Sequence, residues 1–156
     1  GIDENTALVV TGDTQKVLGA GGVHVLDLRA AVTGTRNGHW SIDNVRWTYL
    51  TRGDTYRPST WTMSTAKAAY RPTTGYAPAP PRDVFSSPRA INPDENRLTL
   101  LALDLIRAGR DTTAYGESYE TGPVYEVNLT ENGSFAAYRS GSAISFAQMR
   151  ADIRVY

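Results

Sequence analysis

The sequence predicts a mixed chain: strands, one strong helix, then strands again. Three observations predict it. Short apolar runs broken by Gly- and Asp-bearing turns fill residues 1–58. The segment from Leu98 to Ile106 repeats apolar residues at helical spacing. The closing segment alternates apolar and polar side chains with a strand's period of two. At 156 residues the chain is long enough to bury one core.

The first apolar run is Ala7-Leu8-Val9-Val10, and the turn chemistry of Thr11-Gly12-Asp13-Thr14-Gln15 follows it. Lys16-Val17-Leu18 resumes the strand, Gly19-Ala20-Gly21-Gly22 breaks it, and Val23 to Leu28 is a third strand. Thr33 to His39 reads as a loop with a strong turn signal at Asn37-Gly38. Trp40 to Leu50 reads as a strand, with Val45, Trp47 and Tyr49 on one face and Asn44, Arg46 and Thr48 on the other. Arg52-Gly53-Asp54 turns the chain; the same tripeptide occurs in integrin ligands, but here it fits a turn.

From Arg57 to Pro93 the texture changes, because every proline but one lies there. Pro78, Pro80 and Pro81 favour extended, sheet-averse backbone, so residues 59–92 are expected to form a long surface loop or insertion. A helix is expected next. Asn92 suits its N-cap and Pro93 its first turn, and Asp94 and Glu95 suit the positive end of its dipole. Leu98, Leu101, Ala102, Leu105 and Ile106 form its buried stripe, and Gly109 suits its C-terminal cap. Beyond it, Tyr125, Val127 and Leu129 share a strand face. Glu131-Asn132-Gly133 reads as a hairpin turn leading to Ser134–Arg139. The last strand places Ala147, Met149, Ala151, Ile153 and Val155 on one face.

Composition narrows the chemistry. Sixteen basic side chains balance sixteen acidic ones, so bulk charge points to no nucleic-acid or acidic-membrane partner. The chain has no cysteine, which excludes disulfides, thiolate catalysis and Cys-ligated zinc within it. It has two histidines, His24 in an apolar strand and His39 in a loop, and both read as structural. No carboxylate or histidine cluster has the spacing of a metal site, and no cofactor motif is present. There is no Gly-x-Ser-x-Gly nucleophile elbow. An N-terminal nucleophile hydrolase needs a hydroxyl or thiol where this sequence has Gly1. Gly1-Ile2-Asp3-Glu4 runs straight into an apolar stretch, which suggests a chain cut from a longer precursor. From the residues alone, Asp3 and Glu4 read as a solvated turn.

The segment Gly1-Ile2-Asp3-Glu4-Asn5-Thr6-Ala7-Leu8-Val9-Val10 closely resembles one found in the cyanophycinase-like serine peptidases. Gly12-Asp13 and Val17-Leu18-Gly19-Ala20-Gly21-Gly22-Val23-His24-Val25-Leu26-Asp27 are similar to the family's next turn and strands. Ile42-Asp43-Asn44-Val45-Arg46 and Leu50-Thr51-Arg52-Gly53-Asp54 resemble those that follow. The likeness is specific over residues 1–58, looser from Leu98 onward, and absent from the Pro-rich stretch.

The resemblance implies the C-terminal part of a three-layer α/β/α sandwich with a β-rich C-terminal extension. Residues 1–58 would be the last strands of a catalytic domain, and residues 93–156 a helix and strands packed on it. It also implies a Ser-His-Glu hydrolase of β-aspartyl or related peptide bonds, with Glu4 as the acidic member of the triad. Asp3, Asn5 and Thr6 would shape the turn around it. The serine and histidine precede this segment in the family, so the expected partner is an N-terminal fragment of the same precursor. The substrate would be a peptide or cyanophycin-like polymer, and an extracellular or periplasmic location is expected. Two other readings stay open: a fragment that self-assembles into an oligomer or filament through exposed sheet edges, and a relative that binds without catalysis.

Overall fold

The computed structural model describes residues 1–72, 83–85, 96–109, 112–120 and 122–155. The first hairpin is β1 (Thr6–Thr11) and β2 (Thr14–Gly19), closed at Gly12-Asp13 with Gly12 in the left-handed region (φ 57°). β2 pairs with β6 (Thr55–Arg57), and β6 with β7 (Thr62–Ser64), completing a four-stranded sheet. The larger, eight-stranded sheet starts at β3 (Gly22–Asp27) and β5 (His39–Thr51), and β4 (Val32–Arg36) folds back on β5. β5 pairs in turn with β12 (Ala143–Val155). The other edge of β12 is shared: its first half takes β11 (Ala136–Ser140), which also holds β8 (Ala68–Ala69), and its second half takes β10 (Tyr125–Thr130). β9 (Thr113–Glu117) lies beyond β10.

This is not a three-layer α/β/α sandwich. Among the described residues every strand pairing is antiparallel and there is one helix, α1 (Arg97–Ala108). The reason lies in the connections. Two-residue turns join β1 to β2, β4 to β5 and β11 to β12. A parallel neighbour needs a crossover of roughly a dozen residues or more.

Other expectations shift as well. Thr33–His39 is no loop, because β4 occupies most of it and Asn37-Gly38 is its hairpin turn (φ 51° and 78°). The N-cap is Asn96, not Asn92: its side chain accepts from the N–H groups of Leu98 and Thr99. Asn92 to Glu95 lie outside the described residues. Gly109 does cap the C-terminus (φ 64°), and Leu101, Ala102, Leu105 and Ile106 are buried as their spacing requires. The Glu131–Gly133 turn does not make a hairpin; β11 pairs with β12 and β8 instead. The Pro-rich stretch is partly sheet, through β7 and β8. Prolines 78, 80, 81, 88 and 93 lie outside the described residues.

Two bulges reset the alternation of the long strands. On β5, Asp43 and Asn44 face one residue of β12, with Asn44 at φ 62°. On β12, Ala147 and Gln148 face one residue of β5, with Gln148 at φ 62°. Before the second bulge Ile144 and Phe146 are buried; after it Met149, Ala151 and Val155 are. Ala147 therefore leaves the face expected for it.

Helix α1 packs on one face of the large sheet, over a core that includes Trp47, Leu105, Val127, Leu129, Phe146 and Met149. Val17 and Tyr56 of the small sheet meet Val23 and Leu50 of the large one in a second core. Where the sheets meet, Asp54 is fully buried. Its carboxylate accepts from the Thr51 N–H (2.8 Å), the Ser145 hydroxyl and the Lys67 ammonium. Its backbone carbonyl accepts from the Val17 N–H (3.0 Å). Arg52-Gly53-Asp54 is thus a turn with its acid sealed inside, unable to present itself as a ligand tripeptide.

Candidate active site

Ile2 bridges Val23, and the chain then reverses through Glu4 and Asn5 into β1. Asn5 takes the left-handed conformation (φ 55°), which Asn tolerates better than most residues. Thr6 locks the reversal: its hydroxyl donates to the Glu4 carbonyl (3.1 Å) and accepts from the Gly21 N–H (3.0 Å).

The glycines opposite form the seat of this turn. A Cβ at Gly19 would lie 2.1 Å from the Asn5 carbonyl oxygen, and one at Gly21 would lie 2.7 Å from both Asp3 Cβ and Thr6 Oγ1. A Cβ at Gly22 would lie 2.3 Å from the Tyr49 ring. No side chain fits at these three positions, so the acidic turn sits directly on bare backbone.

Asp3 points inward. One carboxylate oxygen accepts from the Gly22 N–H (2.9 Å) and the Tyr49 hydroxyl (3.1 Å). The other meets His24 Nε2 at 2.9 Å. Burial, and then the neighbouring Asp3 charge, push the Tyr49 phenol well above its ordinary pKa, so it stays protonated as the donor. The His24 ring stacks on Trp47 (5.7 Å between centroids, 23° between planes) and leans on Tyr49 (4.8 Å). Aromatic packing on one side and a carboxylate on the other fix the imidazole.

Glu4 faces solvent. Among the described residues its carboxylate makes no hydrogen bond or ion pair. The turn is held through Asp3, Thr6, the Glu4 carbonyl and three glycines, while the Glu4 side chain takes no part in it among the described residues. The two neighbouring acids thus divide their work: Asp3 builds the turn and Glu4 is displayed by it. The shaping roles expected of Asp3 and Thr6 are visible in these bonds.

Sequence reasoning missed Tyr49 and the Asp3–His24 pair. The partners lie 46 and 21 positions from Asp3, so no local spacing signals them. Among the described residues no serine or threonine hydroxyl is hydrogen-bonded to His24. His39 is exposed at the start of β5. No group of three or more His, Asp or Glu among the described residues could hold a metal ion. Comparison with known protein families and with solved structures finds no match to this chain.

The glycine seat yields a prediction. Gly22→Ala must displace the buried Tyr49 ring and loosen its bond to Asp3, at a cost of about 1–3 kcal/mol. Gly133→Ala, with open space around it, is the matched control. Urea unfolding midpoints should separate the two clearly. Equal midpoints would show that the turn does not depend on its seat.

Proposed function

We propose that this chain supplies the acidic triad residue, Glu4, of a cyanophycinase-like serine hydrolase acting on β-aspartyl or related peptide bonds. The serine and histidine come from a companion polypeptide, the N-terminal part of the same precursor. The observation that carries this reading is the exposed, unpartnered Glu4 carboxylate at the apex of a turn fixed by Asp3, Thr6 and the glycine seat. The reading rests on that geometry and on the motif around it; the antiparallel fold lends it nothing.

In this arrangement Glu4 accepts the N–H of the companion's imidazole. That bond sets the tautomer, so the opposite ring nitrogen can take the serine proton as the hydroxyl attacks the scissile carbonyl. It also stabilises the imidazolium that results. A carboxylate already saturated by its own chain, as Asp3 is, could not do this.

The test is chemical labelling. Native material is purified and treated with a fluorophosphonate, which marks activated serines. The expected result is a second chain carrying the label, with labelling lost when the two chains are separated. Absence of any labelled companion would remove the mechanism.

One observation favours the self-association reading. β1 is an edge strand with Val9 44% and Val10 61% exposed, and residues 6–11 carry no charge to blunt the edge. A companion-free oligomer joined along β1 is what that reading requires.

A further inference from the structure

The two bulges between β5 and β12 enclose a short regular stretch. Register holds there between Met149 and Trp47, Arg150 and Arg46, and Ala151 and Val45. Val45, Trp47, Met149 and Ala151 are buried in the core beneath α1. Side chains alternate across a strand, so Arg46 and Arg150 both face the other side of the sheet. Directly opposite residues have Cβ atoms about 4.5–5.5 Å apart, and like charges so placed destabilise a sheet. The small sheet packs on this same face against Val23 and Leu50, and Arg46 lies further along it, just beyond the buried Thr48.

The acids around this pair are already engaged. Asp27 is the β3 partner of Arg46, but its carboxylate accepts from the Arg29 N–H (3.0 Å), Nε (3.0 Å) and Nη2 (2.7 Å). The Arg29 hydrogen bond is the main influence holding the Asp27 carboxyl below its ordinary range, and the Arg46 charge is the least. Asp152 accepts from the Asn44 N–H (2.6 Å) and from Arg150 Nε (3.0 Å) and Nη2 (2.9 Å). Asp43 accepts from Arg154 (2.6 Å), and Glu126, opposite Arg154, accepts from Asn128. Arg46 is left without an acid of its own. Among the described residues its guanidinium makes no hydrogen bond or ion pair, and its Nη1 is buried with no partner. Buried polar atoms nearly always have one, so this orphan calls for an acceptor. Across from it, Arg150 engages Asp152 through Nε and Nη2 and leaves its Nη1 outside that pair.

We propose that Arg46 and Arg150 form a binding site for a small carboxylate. One carboxylate oxygen accepts from the unpartnered Arg46 nitrogen and the other from the side of Arg150 that Asp152 leaves unused. Arg46 as a whole is only partly buried, so rotation about its side-chain bonds presents Nη1 to the ligand. The bound anion satisfies the orphan donor and cancels the repulsion between the two guanidinium groups, two penalties the sheet otherwise carries. A guanidinium matches the two coplanar oxygens of a carboxylate. One cation without an acid calls for one negative charge, which favours a carboxylate over a dianionic phosphate. The ligand is small, because the small sheet bounds the pair on one side and the Arg154–Asp152 contact (3.8 Å) on the other. The site does not depend on the hydrolase reading. Asp27 lies five residues along β3 from Gly22, which seats the Glu4 turn, or about 17 Å away.

The experiment titrates the full chain with acetate and follows its backbone amide signals by NMR. Chloride is exchanged for acetate so that ionic strength, and with it screening, stays constant. The expected result is saturable shifts centred on Arg46 and Arg150, with half-saturation below about 50 mM. Arg107, whose guanidinium already bonds Asp104 (3.1 Å), should show none comparable. Arg46→Gln removes the orphan nitrogen and should fold as the parent does, but half-saturation at Arg150 should rise at least about ten-fold. Arg46→Lys keeps the charge without the planar fork and should weaken binding about three-fold or more. Shifts that never saturate would overturn the proposal. So would half-saturation unchanged in both variants. Tighter binding of phosphate than of acetate would assign the pair to a dianion and overturn it too.

Discussion

Replacing Asp54 by Ala should destabilise the fold by about 3–5 kcal/mol, the usual cost of removing one partner of a buried ion pair. The Asp54 side chain is completely buried, and that of its partner Lys67 is only 7% exposed. Without the carboxylate, the Lys67 ammonium keeps one hydrogen bond, to the Arg52 carbonyl (3.1 Å), but no counter-charge. The Thr51 N–H loses its acceptor outright, and the Ser145 hydroxyl is left with Thr51 Oγ1 alone. The same residue joins three parts of the molecule: the end of β5, the start of β12 and the segment before β8. Against a typical total stability of about 5–15 kcal/mol, such a loss decides whether much of the protein stays folded. Urea titration measures it. The double variant Asp54→Ala with Lys67→Met should recover part of the loss, because the stranded charge goes too. A loss under about 1 kcal/mol for Asp54→Ala would mean that the network is hydrated and contributes little.

Much of the local structure was legible in the sequence, and the physical reason is proximity. Gly12, Asn37-Gly38 and Gly109 announce left-handed backbone through residue type alone, and each takes it. Val45, Trp47 and Tyr49, or Val127 and Leu129, show their shared face through a period of two. The bulges at Asn44 and Gln148 are different. Each is one extra residue; Asn44 is a type that tolerates positive φ and Gln148 is not, but only pairing between β5 and β12 reveals either bulge. That is why Ala147 was placed on the wrong face. Asn92-Pro93-Asp94-Glu95 carries more favourable N-terminal signals than Asn96, yet Asn96 is the residue whose side chain reaches the first free N–H groups of α1.

The layered α/β expectation failed for a related reason. It came from the resemblance, whereas the two-residue connections already favoured antiparallel neighbours. At the candidate site, Thr6 was legible through its turn chemistry, and the role proposed for Glu4 comes from its motif. The division of labour between Asp3 and Glu4 was not, because Asp3 is committed by Gly22, His24 and Tyr49, all distant in the chain.

The central claim is that the fold displays Glu4 without using it. The variant Glu4→Gln keeps the side chain's size and loses only its charge. Since Glu4 is exposed and its carboxylate is unpartnered among the described residues, the melting temperature of the chain should change by less than about 2 °C. Turnover is another matter. In the proposed triad a neutral amide cannot enforce the histidine tautomer or stabilise the imidazolium, and loss of the acid costs about 10⁴-fold. The most direct test is therefore to measure melting temperature and peptide turnover on the same two-chain preparation of Glu4→Gln. The account predicts an unchanged melt with turnover reduced roughly 10³- to 10⁴-fold. Full turnover, or a substantial fall in the melting temperature, would contradict it.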